Sequence, residues 1–169
     1  QLIEPFTIDP AWELIGSLDP GWGGYLSFGL QARDFAGTEY RIGTYYVKER
    51  GPEEHAVAIN EFIKENKFTG GRIPTLIVSG HDAWARKDRQ AILASEKTMA
   101  DVFGSFGLHL QRAQIDRPNG WGALIAAMPN QYKIFKYHNI ELENQLTQTL
   151  GDPDKPWDAK NDALKCNAC

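Results

Sequence analysis

A chain of 169 residues with 42% hydrophobic and 24% charged residues can build one packed domain and is too apolar for general disorder. No run of about 18 apolar residues occurs, which excludes a spanning helix. A net charge of −4 argues against gripping nucleic acid through bulk positive charge, but not against acting on it through metal-bound carboxylates.

The two cysteines, Cys166 and Cys169, form a lone C-x-x-C with no second ligand pair. They read as reduced thiols of a cytosolic protein rather than a zinc site. The sequence opens at Gln1 without an initiator Met or a charged-then-apolar leader, so it reads as a non-secreted piece of a longer protein.

Residues 1–11 carry Pro5 and Pro10 and read as an extended lead-in or interdomain linker ahead of a single domain over 12–169. The stretch from Trp12 to Gly24 is a short buried strand. Leu14, Ile15 and Leu18 are its apolar body, Asp19 is its end, and Pro20 and Gly21 turn it sharply. Tyr25 to Asp34 alternates apolar and polar residues as a half-buried antiparallel strand does. After a hairpin-sized turn, Glu39 to Glu49 is a third strand rich in Tyr, Ile, Val and Thr, completing a meander.

The period changes at Gly51. Pro52 fits a first helical turn, Glu53 and Glu54 sit near its positive end, and Ala56, Ile59 and Ile63 share a face out to about Asn66. Pro74 to Ser79 is a short continuous apolar run, the pattern of a parallel strand buried on both faces. A long helix is expected over Lys87 to Phe106, with Ile92, Ser95, Met99, Val102 and Phe106 as its inner stripe and Gly107 ending it. Leu108 to Gln114 reads as another strand, Pro118 to Met128 as a short helix, and Tyr132 to Tyr137 as an edge strand. Asn139 can cap a helix carrying Leu142, Leu146 and Leu150 on one side. A Pro-rich loop over Asp152 to Trp157 precedes a last short helix near Asp158.

This order predicts a mixed α/β sheet, a three-strand antiparallel meander plus parallel strands, flanked by helices. A right-handed helical crossover sets the Pro74–Ser79 strand parallel to a meander strand. If that neighbour is the first strand, Asp19 and Asp82 lie side by side at carboxyl ends of parallel strands, where open α/β sheets build their sites. Each acid also has an ordinary reading, Asp19 as turn chemistry before Pro-Gly and Asp82 as a helix N-cap. Together they repel, and a shared divalent cation resolves the repulsion; magnesium, a hard ion preferring oxygen ligands, suits them. A third acid would complete the site, and the residues alone leave open Asp152, Asp154, Asp158 and Asp162.

The ordered set SLDPGW, HDAWAR, RPNGW and NDALKC resembles the nuclease domain of the large terminase subunit of tailed bacteriophages, over nearly the whole chain. The resemblance implies an RNase H-like fold and a metal-dependent endonuclease that cuts concatemeric double-stranded phage DNA during packaging. It implies two Mg2+ or Mn2+ ions, with Asp19 bridging them and Asp82 and Asp162 each completing one coordination sphere. Arg117 and Gly120 match the family's Arg-x-x-Gly element. Lys165-Cys166 stands where the family has Arg-Tyr, and Asn161 where an acid or His often precedes the third Asp, so Asp158 remains the competitor of Asp162.

Arg86, Lys87, Arg89 and Arg117 are candidates to touch the DNA backbone, with a solvated helix face as the plain reading of the first three. Trp22 and Trp84 flank the proposed site as lids or core. His81 could steer a phosphate or lie exposed in a loop, and His55, His109 and His138 show no metal spacing. No G-x-x-x-x-G-K-[ST] string occurs, so the family's ATPase half is absent from this sequence. The implied partners are that ATPase domain, the small terminase subunit and the portal, in the host cytoplasm and away from membranes. Three further readings stay open: another RNase H-like enzyme such as a Holliday-junction resolvase or transposase core, a non-catalytic motor-docking module, and an actin-like ATPase. The last lacks a second phosphate-binding Gly loop.

Overall fold

The structure, a computed structural model, describes residues 1–21, 24–85, 97–113, 123–124 and 126–148, with side chains given as far as Asn144. Its centre is the expected meander: β2 (Glu13–Asp19), β3 (Tyr25–Arg33) and β4 (Glu39–Lys48), paired antiparallel in sequence order. Asp34 shapes the second turn, its Oδ1 accepting from the backbone N–H of Ala36 and Thr38. Helix α1 (Pro52–Lys64) starts as its sequence dictates, with Glu54 Oε2 accepting from the Gly51 N–H at 2.7 Å.

Strand β5 (Leu76–Ser79) then lies parallel to β2, from Ile15 beside Leu76 to Leu18 beside Ser79. Strand β6 (Leu110–Arg112) pairs parallel with β5, and β7 (Tyr132–Phe135) pairs parallel with β4. The lead-in is more than a linker. Leu2–Ile3 form β1, parallel to β7, and Ile8 is buried against the main core. The sheet order is β1-β7-β4-β3-β2-β5-β6, a mixed sheet of RNase H-like form. The expected edge strand at Tyr132 is therefore interior, because β1 covers its outer side.

Two faces follow from strand alternation. Leu14, Leu18, Leu26, Phe28, Leu30 and Ile42 meet Ala56, Ile59 and Ile63 of α1 in the main core. The opposite face carries Ile15, Ser17 and Asp19, and toward β7 it packs Tyr132 and Ile134 against Leu142 of α3 (Ile140–Gln148), with Leu124 and Ala127 beside them. Asn139 precedes α3, but its amide is bound into the sheet: Nδ2 donates to the Arg41 and Phe135 carbonyls, and Oδ1 accepts from Thr44 Oγ1.

The long second helix needs correction. Helix α2 spans only Met99–Ser105, because Thr98 is extended (φ −75°, ψ 166°) and caps it. Thr98 Oγ1 accepts from the Asp101 N–H, while Asp101 Oδ2 accepts from the Thr98 N–H. Met99 and Phe103 form the buried stripe, whereas Phe106 lies past the helix end and is 38% exposed. Gly107, at φ +82°, closes the unit as expected. Leu146 lies within α3, past the last described side chain; Ile92, Ser95, Leu150, the Pro-rich loop and the last helix lie outside the described residues.

Candidate active site

Asp19 is the last residue of β2, directly opposite Ser27 of β3. The chain leaves it through Gly21 at φ +45°, where a Cβ would stand 1.7 Å from the Tyr25 carbonyl oxygen. Only glycine fits there, and the Gly24 N–H closes the turn onto the Gly21 carbonyl at 2.8 Å. This tight reversal pins the Asp19 end of the strand.

On the parallel neighbour, β5 ends at Ser79 beside Leu18, and Gly80 leads into a single 3-10 turn, His81–Trp84. The two acids are thus carried by the carboxyl ends of adjacent parallel strands, the arrangement that follows from the crossover through α1. Gly80, not Asp82, occupies the cap position of that turn, so the N-cap reading of Asp82 does not hold. Asp82 Oδ1 lies 3.1 Å from His81 Nε2, with both side chains more than half exposed. Trp84 is half-buried, with the Arg112 guanidinium 5.0 Å from its ring centre.

Further along the Asp19 face lies a residue that sequence reading passed over. Arg41 of β4 is 5% exposed, and its Nη1 donates to Ser17 Oγ at 3.1 Å. To get there the guanidinium crosses β3 over Gly29, where a Cβ would come within 1.8 Å of Nη1. The signal was present in the sequence as a glycine inside an otherwise well-formed strand, which marks a close approach. Ser17 and Asp19 share a face two residues apart, so Arg41 holds the strand about 7 Å from the carboxylate position.

Asp162, Asp158, Asp152, Asp154, Arg86, Lys87, Arg89, Arg117, Gly120 and Trp22 lie outside the described residues. Among the described residues no group of three or more His, Cys, Asp or Glu could hold a metal ion. The described part of the site contributes two carboxylates at adjoining strand ends, oxygen donors of the kind a hard divalent ion takes. His55 is a structural residue: it is buried, with Nδ1 2.9 Å from Tyr45 Oη.

No protein-family model matches the chain, nor does any curated protein sequence. Solved structures do. The chain is similar to the nuclease domain of the P22 large terminase, with a TM-score of 0.71 at 13% identity over 99% of this chain and 84% of that one. It is similar to the nuclease domain of the g2p large terminase of bacteriophage SPP1 with bound Mn, with a TM-score of 0.63 at 12% identity over 99% and 92%. It also matches the large terminase of a thermophilic bacteriophage, with a TM-score of 0.71 at 14% identity over 99% of this chain.

The chain has the fold of phage large-terminase nuclease domains. It spans 41% of the length of the thermophilic phage's large terminase. The resemblance read from four short motifs and the likeness of the whole backbone therefore point to one fold. No helix among the described residues is long and apolar enough to cross a membrane.

Proposed function

We propose that this chain is the metal-dependent endonuclease domain of a viral DNA-packaging motor, cutting concatemeric double-stranded DNA. The observation that carries the reading is the pairing of β2 with β5, which sets Asp19 and Asp82 at adjacent strand ends within a terminase-nuclease fold. Asp19, Asp82 and Asp162, with Asp158 as the alternative third acid, would hold two Mg2+ or Mn2+ ions. Bound Mn in the SPP1 nuclease domain supports a divalent metal. When bound, such ions would supply an activated water and neutralise charge on the leaving oxygen.

The remaining roles belong to the chain itself. Asp19, pinned between the Gly21 turn and the Ser17–Arg41 contact, offers a carboxylate whose backbone does not need to reorganise. Arg86, Lys87 and Arg117 would engage backbone phosphates, and a terminase ATPase domain, small subunit and portal would present the DNA in the host cytoplasm. Nicking of supercoiled plasmid with Mn2+ or Mg2+ tests the proposal, comparing the wild-type chain with Asp19→Ala, Asp82→Ala, Asp162→Ala and Asp158→Ala. Loss of cleavage in the first two and in one of the last two is expected. Equal cleavage by wild type and Asp19→Ala would end the proposal.

A further inference from the structure

The rung of the sheet that holds Asp19 continues through Ser27 to Tyr46 of β4, and two residues further out Tyr25 pairs with Lys48. Strand alternation puts all five on one face. The rings of Tyr25 and Tyr46 stack with centroids 4.3 Å apart and planes within 5° of parallel. Lys48 Nζ sits 5.7 Å from the centre of the Tyr25 ring, which is 42% exposed at the level of the residue. The Lys48 ammonium also lies 3.2 Å from Glu49 Oε1, in a pair whose side chains are 50% and 80% exposed.

With Tyr46 on the Tyr25 ring and Lys48 over it, this group is poorly suited to stacking a base. What it offers is an ammonium and phenol hydroxyls, hydrogen-bond donors held in a fixed order by the sheet. The helix-covered side is different in kind: Glu53, Glu54 and Glu61, with Arg50, line a shallow groove along α1. With three carboxylates against one guanidinium, DNA is disfavoured there.

We infer that Tyr25, Tyr46 and Lys48 form a contact for the DNA phosphate backbone. It would grip the strand beside the proposed cleavage position. Lys48 lies two strands across and two residues outward from Asp19, about 12 Å by strand spacing and rise. A phosphate gripped there is roughly two to four nucleotides from the bond cut, at about 3.4 Å of rise per nucleotide. The contact fixes the path of the strand and reads no base. This assignment rests on the nuclease reading for its substrate.

The test measures binding of the 169-residue chain to a duplex oligonucleotide across a salt series from about 20 mM, and cleavage of the same duplex with Mn2+. Lys48→Gln is expected to weaken binding about three- to tenfold and to make the slope of log affinity on log salt shallower by about 0.9. It should raise KM and leave kcat within about twofold. Glu49→Gln removes the competing carboxylate and should tighten binding. Tyr25→Phe keeps the ring stack and should weaken binding about two- to fivefold with the salt slope unchanged.

Lys67→Gln, in the turn after α1 with its ammonium over the Phe68 ring, is the control and should leave the slope alone. Wild-type affinity and slope in Lys48→Gln would overturn the inference. So would an equal effect of Lys67→Gln, or no binding by the wild-type chain. The two readings fail separately. Cleavage that survives Asp19→Ala while Lys48→Gln weakens binding removes the nuclease and keeps the contact; the reverse pattern removes only the contact.

Discussion

Arg41 reaches Ser17 over the bare backbone of Gly29, and the three residues lie on three consecutive strands of the sheet. A methyl group at position 29 would stand within 2.2 Å of three guanidinium atoms. The guanidinium is buried, so it cannot simply swing into water. Gly29→Ala should cost about 2 kcal/mol, in the range of overpacked cores, by urea denaturation. The same change in an Arg41→Met background should cost much less, giving a coupling of about 1 kcal/mol or more. Additive costs would mean that Gly29 is not there to let Arg41 pass.

Divalent metal should raise the melting temperature if the acids share it. At about ten times its dissociation constant, an ion that binds only the native chain adds about 1.4 kcal/mol, or roughly 3–6 °C for a domain of this size. Thermal unfolding with and without Mn2+ checks this, and most of the increment should vanish in Asp19→Asn. An identical increment in the variant would place the ion elsewhere.

Asn139 ties β4, β7 and α3 together through one side chain. Asn139→Ala leaves the Arg41 and Phe135 carbonyls without that donor in a buried setting, at a cost of about 2 kcal/mol by urea denaturation. Asn139→Asp should be no better, since a carboxylate donates nothing to either carbonyl. Rescue by Asp would assign the residue to helix capping instead.

Burial holds the His55 imidazole below its ordinary pKa, and the nearby Arg50 charge adds to this while Glu54 opposes it. The unfolded chain therefore takes up the proton first as pH falls. The stability linked to His55 is complete above its ordinary value of about 6.5 and is lost progressively as pH drops toward the depressed native value. Urea denaturation at pH 7.5 and 5.5 should show a larger loss for wild type than for His55→Gln. Equal losses would leave the acid sensitivity to the carboxylates.

Deleting residues 1–8 tests the lead-in. The deletion uncovers the outer side of β7, removes the buried Ile8, and takes away Phe6, whose ring lies 5.2 Å from Phe135 and 5.5 Å from Tyr40. The loss should be about 3–5 kcal/mol on burial alone, visible as a lower urea midpoint. An unchanged midpoint would make these residues a tether after all.

The meander was legible because alternation and turn residues agree over Tyr25–Asp34, and because Asp34, Gly37 and Thr38 form a hairpin turn. β5 was legible as an uninterrupted apolar run, and its crossover through α1 made it parallel to a meander strand; which strand was open in the sequence, and the structure pairs it with β2. β1 was not: two residues carry no period, and the strand exists only because β7 receives it. The start of α2 was overlooked although Thr98 and Asp101 spell a cap, because an unbroken helical period ran through them. In β4, the irregular register beside Leu30 and Gln31 puts Arg41, Ile42 and Gly43 all inside, which breaks the alternation that would have flagged Arg41. Asp19 and Asp82 could be read as a pair only through strand order, and the third acid of the site stays a proposal.

Glu4 and Lys136, whose charged groups meet at 2.6 Å, are 132 residues apart in the chain. On a ribosome adding about 5–20 residues per second, the β1 segment waits roughly 7–26 s before β7 exists to receive it. The part of the sheet made first is thus the part completed last. Until then an uncommitted extended segment is available to any chaperone or neighbouring chain that offers a free edge.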